Sequence, residues 1–183
     1  PNCALKDFEH RMIGANAYLG TEGIVAALKK KADVVITGRV ADPSLFLAPL
    51  QHFFQWESDD WARAGAGTMI GHVMECAAQV TGGYFADPGY KNVEDIAFVG
   101  FPIAEVQHNG TAVITKLPGT GGCVDPRTVK EQLLYEIHDP ALYLTPDVTA
   151  DFSSARVDST GKDRVSISGA RGRERPQELK VTV

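Results

Sequence analysis

The sequence of 183 residues has few cysteines and no long apolar run, and both shortages limit what the protein can be. Its three cysteines, Cys3, Cys76 and Cys123, form no Cys-x-x-Cys pair, so we predict three free thiols rather than a disulfide framework. No apolar run reaches the ~18 residues that a membrane-spanning helix needs, and no signal segment opens the sequence. These absences predict a soluble, cytoplasmic protein with no membrane partner.

Positive charge is also scarce. The chain has 18 Lys and Arg residues against 23 Asp and Glu residues, which gives a net charge of -5 at pH 7. Proteins that bind nucleic acid usually carry a basic stripe, whereas the basic residues between 164 and 175 are interspersed with Gly, Ser and Glu. We therefore expect no nucleic-acid partner.

The two ends of the sequence carry a further expectation. The sequence begins at Pro1 without a Met and stops in the strand-like run ELKVTV. We expect a segment of a longer chain or a homo-oligomer, because either arrangement would cover apolar sheet that is otherwise exposed.

The first half of the sequence alternates helical and strand-like patterns. Residues 21–31, TEGIVAALKKK, have a possible N-cap in Thr21, helical apolar spacing and a basic last turn. The β-branched run ADVVIT follows at 32–37 and is typical of a buried parallel strand. Asp42-Pro43 then marks the start of another helix. This alternation predicts an α/β fold with a mostly parallel sheet and flanking helices.

The second half favours a hairpin, one more helix and short strands. Residues 101–117 predict a β-hairpin that turns at Asn109-Gly110, and Asp125-Pro126 predicts a helix that ends near His138. From about residue 142 short β-prone pieces alternate with turns. We divide the chain into an α/β portion of a larger domain, residues 1–145, and a small β-rich portion, residues 146–183.

A glycine-rich turn at residues 119–122 is the first candidate binding site. Its glycines could present backbone N-H groups to an anion at the mouth of the helix that follows, although they could equally form a sharp connection. The sequence lacks the Gly-Lys-Ser/Thr of a nucleotide-binding loop. The candidate substrate-binding residues of this turn are Gly119, Thr120, Gly121 and Gly122.

A second candidate follows the predicted strand at 32–37, because open α/β sheets bind ligands beyond the carboxyl ends of their strands. Thr37, Gly38 and Arg39 lie there, and the Arg39 guanidinium could hold a carboxylate or phosphate. Asp42 could act as a base, unless it caps the next helix or pairs with Arg39. We expect Arg39 and the glycine turn to hold the same anion.

A polar stripe marks the pattern at residues 67–80, which predicts a helix. His72 and Cys76 are one turn apart with Glu75 beside them, so a metal pair, an acid-base pair and a buried polar stripe are all compatible with the spacing. The other histidines show no ligand spacing, and we predict no metal site. General acid-base chemistry by His72 or Glu75 is the best functional interpretation.

Seven segments together resemble one protein family. They follow one another in order between Ile13 and Arg175, and they are GANAYLG, VITGRVADPSLFLAPL, ECAAQVTGGYFADPGY, GFPIAEV, KLPGTGG, VKEQLLYEIHDP and YLTPDV. On these segments the chain is identified as a C-terminal segment of the acyclic terpene utilisation (AtuA) family domain. The resemblance implies a role in bacterial breakdown of citronellol and geraniol through acyl-CoA intermediates.

These observations lead to two functional hypotheses. The first is a catabolic enzyme or enzyme subunit that acts on a small carboxylate or acyl-CoA by proton transfer, such as hydration, dehydration or isomerisation, with His72, Glu75 and Asp42 as catalytic residues. The second is a non-catalytic subunit that binds the acyl-CoA or a partner enzyme. The sequence has no fingerprint for nicotinamide, flavin or pyridoxal phosphate, so CoA enters only as part of a substrate.

Overall fold

A computed structural model describes residues 4–7 and 9–183 of the chain. Within these residues the α-helices are α1 (Glu22–Lys29), α2 (Ser44–Phe54), α3 (Trp61–Met74) and α4 (Pro126–Leu134). The strands are β1 (Asn16–Ala17), β2 (Pro102–Val106), β3 (Ala112–Lys116), β4 (Tyr143–Leu144), β5 (Thr149–Asp151), β6 (Arg156–Gly161), β7 (Arg164–Ser168), β8 (Arg171–Arg173) and β9 (Val181–Thr182). Short 3₁₀ turns cover Leu5–Asp7, Glu9–Arg11, Ala77–Gln79 and Ile96–Phe98. None of the helices in the described ranges has the length and apolar character that crossing a membrane requires.

The described strands form three antiparallel sheets. One has four strands in the order β2-β3-β7-β6, another has three in the order β4-β5-β8, and β1 pairs with β9. The hairpin of β2 and β3 turns at Gly110, whose φ of 84° suits glycine, as the sequence predicted. Strands from both sides of residue 145 pair with each other, as β3 does with β7. The division of the chain at residue 145 stays a prediction.

The predicted parallel sheet is wrong. Residues 32–37 form no strand, and the side chains of Val34 and Ile36 are 77% and 92% exposed, so this run does not lie inside a sheet. Parallel pairing is limited, in the described part of the chain, to isolated bridges such as that between Leu19 and Val40. The pairs β2–β3 and β6–β7 are joined by tight turns, which permit antiparallel neighbours and not parallel ones. α1 packs on α2 and α2 on α3, and α3 in turn packs against strands such as β8 and β5.

The core lies between α3, α4 and the inner faces of the two larger sheets. Met69, Ile70 and Val73 of α3 are buried against side chains such as Ile114 of β3 and Val165 of β7. The backbones of α3 and β8 approach closely, because a Cβ atom at Gly65 would lie 2.3 Å from the Arg171 carbonyl oxygen. The small residues along α3 therefore serve packing, and they hold the C-terminal end of the helix, with His72, deep in the protein.

One predicted helix boundary agrees with the structure, and another does not. α4 begins as predicted, since the Asp125 side chain accepts from the backbone N-H groups of Arg127 and Thr128 in a capping box. The helix predicted at 67–80 instead ends at Met74, and the positive φ of 49° at Ala77 breaks the helical path. The thiols of Cys76 and Cys123 are free, as predicted, and Cys3 lies outside the described residues.

The buried carboxylate of Asp147 joins three parts of the chain. Its Oδ1 accepts from the Thr21 backbone N-H at 2.8 Å and from the Thr21 hydroxyl at 2.9 Å, while its Oδ2 accepts from the Ser44 hydroxyl. Thr21 precedes α1 and Ser44 begins α2, so one side chain satisfies donors at both helix starts. A Cβ atom at Gly20 would lie 2.3 Å from Asp147 Oδ1, which explains glycine at that position.

Replacing Asp147 with asparagine is expected to lower the free energy of unfolding by about 1.5 to 3 kcal/mol, because the buried donors lose a charged acceptor. Urea denaturation measures this change. Asp158→Asn is the matched control, since Asp158 lies on the exposed face of β6 and should change stability little. Equal stability of the two variants would contradict the role given to Asp147.

Candidate functional site

A cavity of about 590 Å³ lies where several separate parts of the chain meet. Its walls come from the residue after β1, the turn before α2, the residue after α3, a residue after α4, the segment around β4 and the segment that precedes β9. Side chains on these walls that could bind a ligand or transfer a proton include Tyr18, Arg39, Asp42, Glu75, Tyr143 and Lys180. Its size lies within the usual range for small-molecule sites.

Glu75 and His72 form a buried hydrogen-bonded pair at this cavity. His72 Nδ1 lies 3.1 Å from Glu75 Oε1, and the two side chains are 1% and 10% exposed. α3 brings them together, because residues three apart share a helix face. Glu75 lines the cavity, and His72 lies behind it against the rings of Tyr143 and Phe152. The sequence predicted that these residues share a helix face, and the structure adds that Glu75, and not His72, lines the cavity.

The outer atoms of the pair are unpartnered. Neither His72 Nε2 nor Glu75 Oε2 has a hydrogen-bond partner among residues 4–7 and 9–183, although both atoms are buried. The backbone carbonyl of His72 is satisfied, since it accepts from the Gln132 side-chain amide at 3.2 Å. Buried polar atoms without partners are uncommon, and each one needs an explanation such as strain, a catalytic role or a bound water. Glu75 Oε2 is therefore both without a partner and closed off from solvent.

The surroundings of Glu75 change its acidity and that of its neighbours. Burial raises the pKa of the Glu75 carboxyl, and the hydrogen bond with His72 opposes this effect only in part. Burial likewise raises the pKa of the Tyr143 hydroxyl, so that group stays protonated and can donate a hydrogen bond. Burial also raises the pKa of the Cys76 thiol, which is the opposite of what an activated nucleophile requires. The site therefore suits proton transfer by Glu75 and not attack by Cys76.

Cations lie at the other side of the cavity. Arg39 Nη1 lies 3.1 Å from Asp42 Oδ1, and the Arg39 guanidinium stacks 4.5 Å from the centre of the Tyr18 ring. The Lys180 ammonium lies 4.8 Å from the same ring. The Asp42 side chain pairs with Arg39 and does not cap α2, whose N-cap is Pro43. Arg39 and Lys180 are the groups that could hold a carboxylate or phosphate in this cavity.

The glycine turn lies in a different cavity, of about 790 Å³, beside Lys116, Asp125 and Asp163. Several of the amides in and beside this turn are already used by the protein. The backbone N-H groups of Gly121, Gly122 and Cys123 donate to the carbonyl oxygens of Phe98, Glu94 and Thr81 at 2.9 Å each. The geometry favours a structural connection over an anion site, and substrate binding by Gly119, Thr120, Gly121 and Gly122 stays a prediction.

The structure thus brings together only some of the predicted residues. Arg39, Asp42 and Glu75 line one cavity, with His72 directly behind Glu75. Thr37 and Gly38 are exposed and lie outside its lining, and the glycine turn is elsewhere. Within the described ranges, no three His, Cys, Asp or Glu side chains are grouped closely enough to hold a metal ion.

Sequence reasoning missed Tyr18, Tyr143 and Lys180. Tyr18 and Tyr143 do lie in segments that carried the family resemblance, GANAYLG and YLTPDV, but neither stood out by spacing. Lys180 lies in a run with ordinary strand character, and no local signal connects it with Tyr18. Pairing of β1 with β9 is what brings them together.

One protein family matches the whole chain. The family model described as "Acyclic terpene utilisation family protein AtuA" matches residues 1–183. The chain belongs to the AtuA family. Its place in that family links it with acyclic terpene utilisation. No curated protein and no solved structure is detectably similar to this AtuA chain.

Proposed function

We propose that this AtuA chain is a catabolic enzyme or enzyme subunit that acts on a small carboxylate or acyl-CoA by proton transfer, in the degradation of acyclic terpenes of the citronellol and geraniol type. The observation that carries the proposal is Glu75, which lines the cavity and whose carboxyl has one buried oxygen without a partner and a pKa raised by burial. A carboxyl whose pKa is raised is a stronger base when it is ionised, so it is suited to take a proton from a substrate and return it. The reaction class is hydration, dehydration or isomerisation.

The roles of the surrounding residues follow from their contacts. Glu75 exchanges the proton with the substrate, and His72 fixes the orientation of the carboxyl through its Nδ1 contact. Tyr143, protonated and beside Glu75, can donate a hydrogen bond to an oxygen on which negative charge develops. Arg39 binds the anionic group of the substrate, and Asp42 holds Arg39 in place. Asp42 therefore acts here by positioning rather than as a base.

Deuterium exchange tests the proposal without knowledge of the full reaction. The protein is incubated in D₂O with 3-methyl-2-butenoate or its CoA thioester, which are short models of a branched terpenoid acid, and loss of C-H signal is followed by proton NMR. We expect exchange well above that of a protein-free control. Binding without exchange would favour the alternative, a non-catalytic subunit that binds the acyl-CoA or a partner. If the protein neither binds the probes nor catalyses exchange, both functions are contradicted.

The exchange rate should depend on pH in a defined direction. Glu75 accepts a proton only when it is ionised, and burial raises the pKa of this carboxyl. The rate is therefore expected to rise with pH, with its midpoint above the ~4.3 of an unperturbed glutamate. NMR exchange rates between pH 4 and 9 would measure the profile. A midpoint at or below the ordinary glutamate value would assign the step to another group.

A further inference from the structure

Two cations are held on one aromatic ring at the mouth of the cavity. The Arg39 guanidinium and the Lys180 ammonium lie 4.5 and 4.8 Å from the centre of the Tyr18 ring. The backbone fixes this arrangement, because the Tyr18 N-H donates to the Lys180 carbonyl at 2.9 Å and the Leu19 N-H donates to the Arg39 carbonyl at 3.2 Å. The attraction between a cation and a ring face draws each charge to this position.

The positive charge of this cluster is only partly balanced. Arg39 is paired with Asp42, whereas Lys180 has no carboxylate within salt-bridge distance among the side chains that the structure describes. A series of contacts joins Lys180 to the Tyr18 ring, that ring to Arg39, and Arg39 to Asp42. The negative charge of Asp42 contributes to the raised pKa of Glu75 and of Tyr143. The cavity therefore has a cationic end at Lys180 and a proton-transfer end at Glu75.

The total charge of the cavity limits what can enter it. Its lining has two cations, Arg39 and Lys180, against the carboxyl groups of Asp42, Glu75, Glu136 and Glu178. The several phosphate charges of a CoA group would meet this excess of carboxyl groups, whereas a single carboxylate can rest between the two cations. The apolar lining between the two ends, which includes Pro43, Leu144 and Pro146, can contact a hydrocarbon chain.

We infer that Arg39, Tyr18 and Lys180 form a carboxylate-binding subsite, and that the ligand of this cavity is a free, branched monocarboxylic acid rather than its CoA thioester. The carboxylate lies between Arg39 and Lys180, and the hydrocarbon extends toward Glu75 and Tyr143. This inference rests on the proposed function, since it names the substrate class for the same cavity. Lys180 is the specificity-determining residue, because it supplies the unpaired charge.

Isothermal titration calorimetry on the intact chain tests this subsite. The probes are 3-methyl-2-butenoate, its neutral amide and its CoA thioester, and the variants are Lys180→Met and the matched control Lys130→Met, in which an exposed lysine outside the cavity is replaced. We expect the acid to bind best, and its affinity to fall about tenfold in Lys180→Met, since the substitution removes one of the two cations beside the carboxylate. Lys130→Met should bind like the original chain.

Each other outcome counts against the inference. Failure of the acid to bind, equal binding by the amide, tighter binding by the thioester, or unchanged affinity in Lys180→Met would each overturn it. Calorimetry measures binding without turnover, so the result is separate from the exchange test of the proposed function. Binding of the acid through Lys180 with no proton exchange would leave the subsite standing and overturn the catalytic role of Glu75.

Discussion

Replacing Glu75 with glutamine is expected to slow proton exchange by about 10²- to 10⁴-fold, the usual contribution of a positioned general acid or base. Glutamine has nearly the same shape, but its amide cannot take up a proton as the Glu75 carboxylate at the cavity does. Its side-chain oxygen can still accept from His72 Nδ1, so the packing of α3 should persist. NMR exchange rates on the same probes would measure the effect.

The control for this variant is Glu57→Gln, which makes the same change at an exposed position outside the cavity. It should exchange protons at the rate of the original chain. The melting temperature of both variants should be followed, because a folded Glu75→Gln protein attributes the loss to chemistry. If folded Glu75→Gln exchanges protons at an undiminished rate, another group performs the transfer.

Replacing Gly121 with valine is expected to lower the free energy of unfolding by at least about 3 kcal/mol, the upper end for overpacking a buried site. A Cβ atom at Gly121 would lie 1.9 Å from the Asp95 backbone carbonyl oxygen, and backbone cannot move aside as a flexible side chain can. If the glycine turn were an anion site, this substitution would instead block the ligand and leave the fold intact. Urea denaturation distinguishes the two effects.

Gly14→Val provides the matched control, since a Cβ atom at Gly14 has open space within 4 Å and the backbone there does not require glycine. It should change the free energy of unfolding by no more than ~0.5 kcal/mol, as exposed substitutions usually do. A Gly121→Val protein that keeps its stability and loses affinity for an anionic ligand would restore the glycine turn as a binding site.

Local signals in the sequence predicted the local structure well. The Asp125-Pro126 pair predicted the start of α4, and Asn109-Gly110 predicted the hairpin of β2 and β3, because caps and tight turns depend on neighbouring residues. The run at 32–37 predicted a buried strand, and the structure leaves it exposed. β propensity describes the fit of a residue to a neighbouring strand, and the run itself cannot specify that neighbour.

The same distinction applies to the site. His72 and Glu75 could be paired from the sequence, since they are three residues apart on one helix. Arg39 was predicted as a binding residue because it follows the run at 32–37, but that run forms no strand. What places Arg39 at the cavity is its contact with the Tyr18 ring. Lys180 could not be predicted, because its position depends on strand pairing between residues far apart in sequence.

The short ribbon of β1 and β9 has a consequence for the strength of binding. It consists of two residue pairs, and it joins segments such as Tyr18 and Thr182 that are 164 residues apart in sequence. Both strands are exposed, so few buried contacts offset the entropy cost of closing this long loop. We therefore expect the ribbon to be among the regions that open most readily. Opening separates Lys180 from Arg39 and removes the binding-competent form. The apparent dissociation constant then exceeds the intrinsic one by the inverse of the closed fraction, and an acid that binds at Tyr18 draws the two segments together.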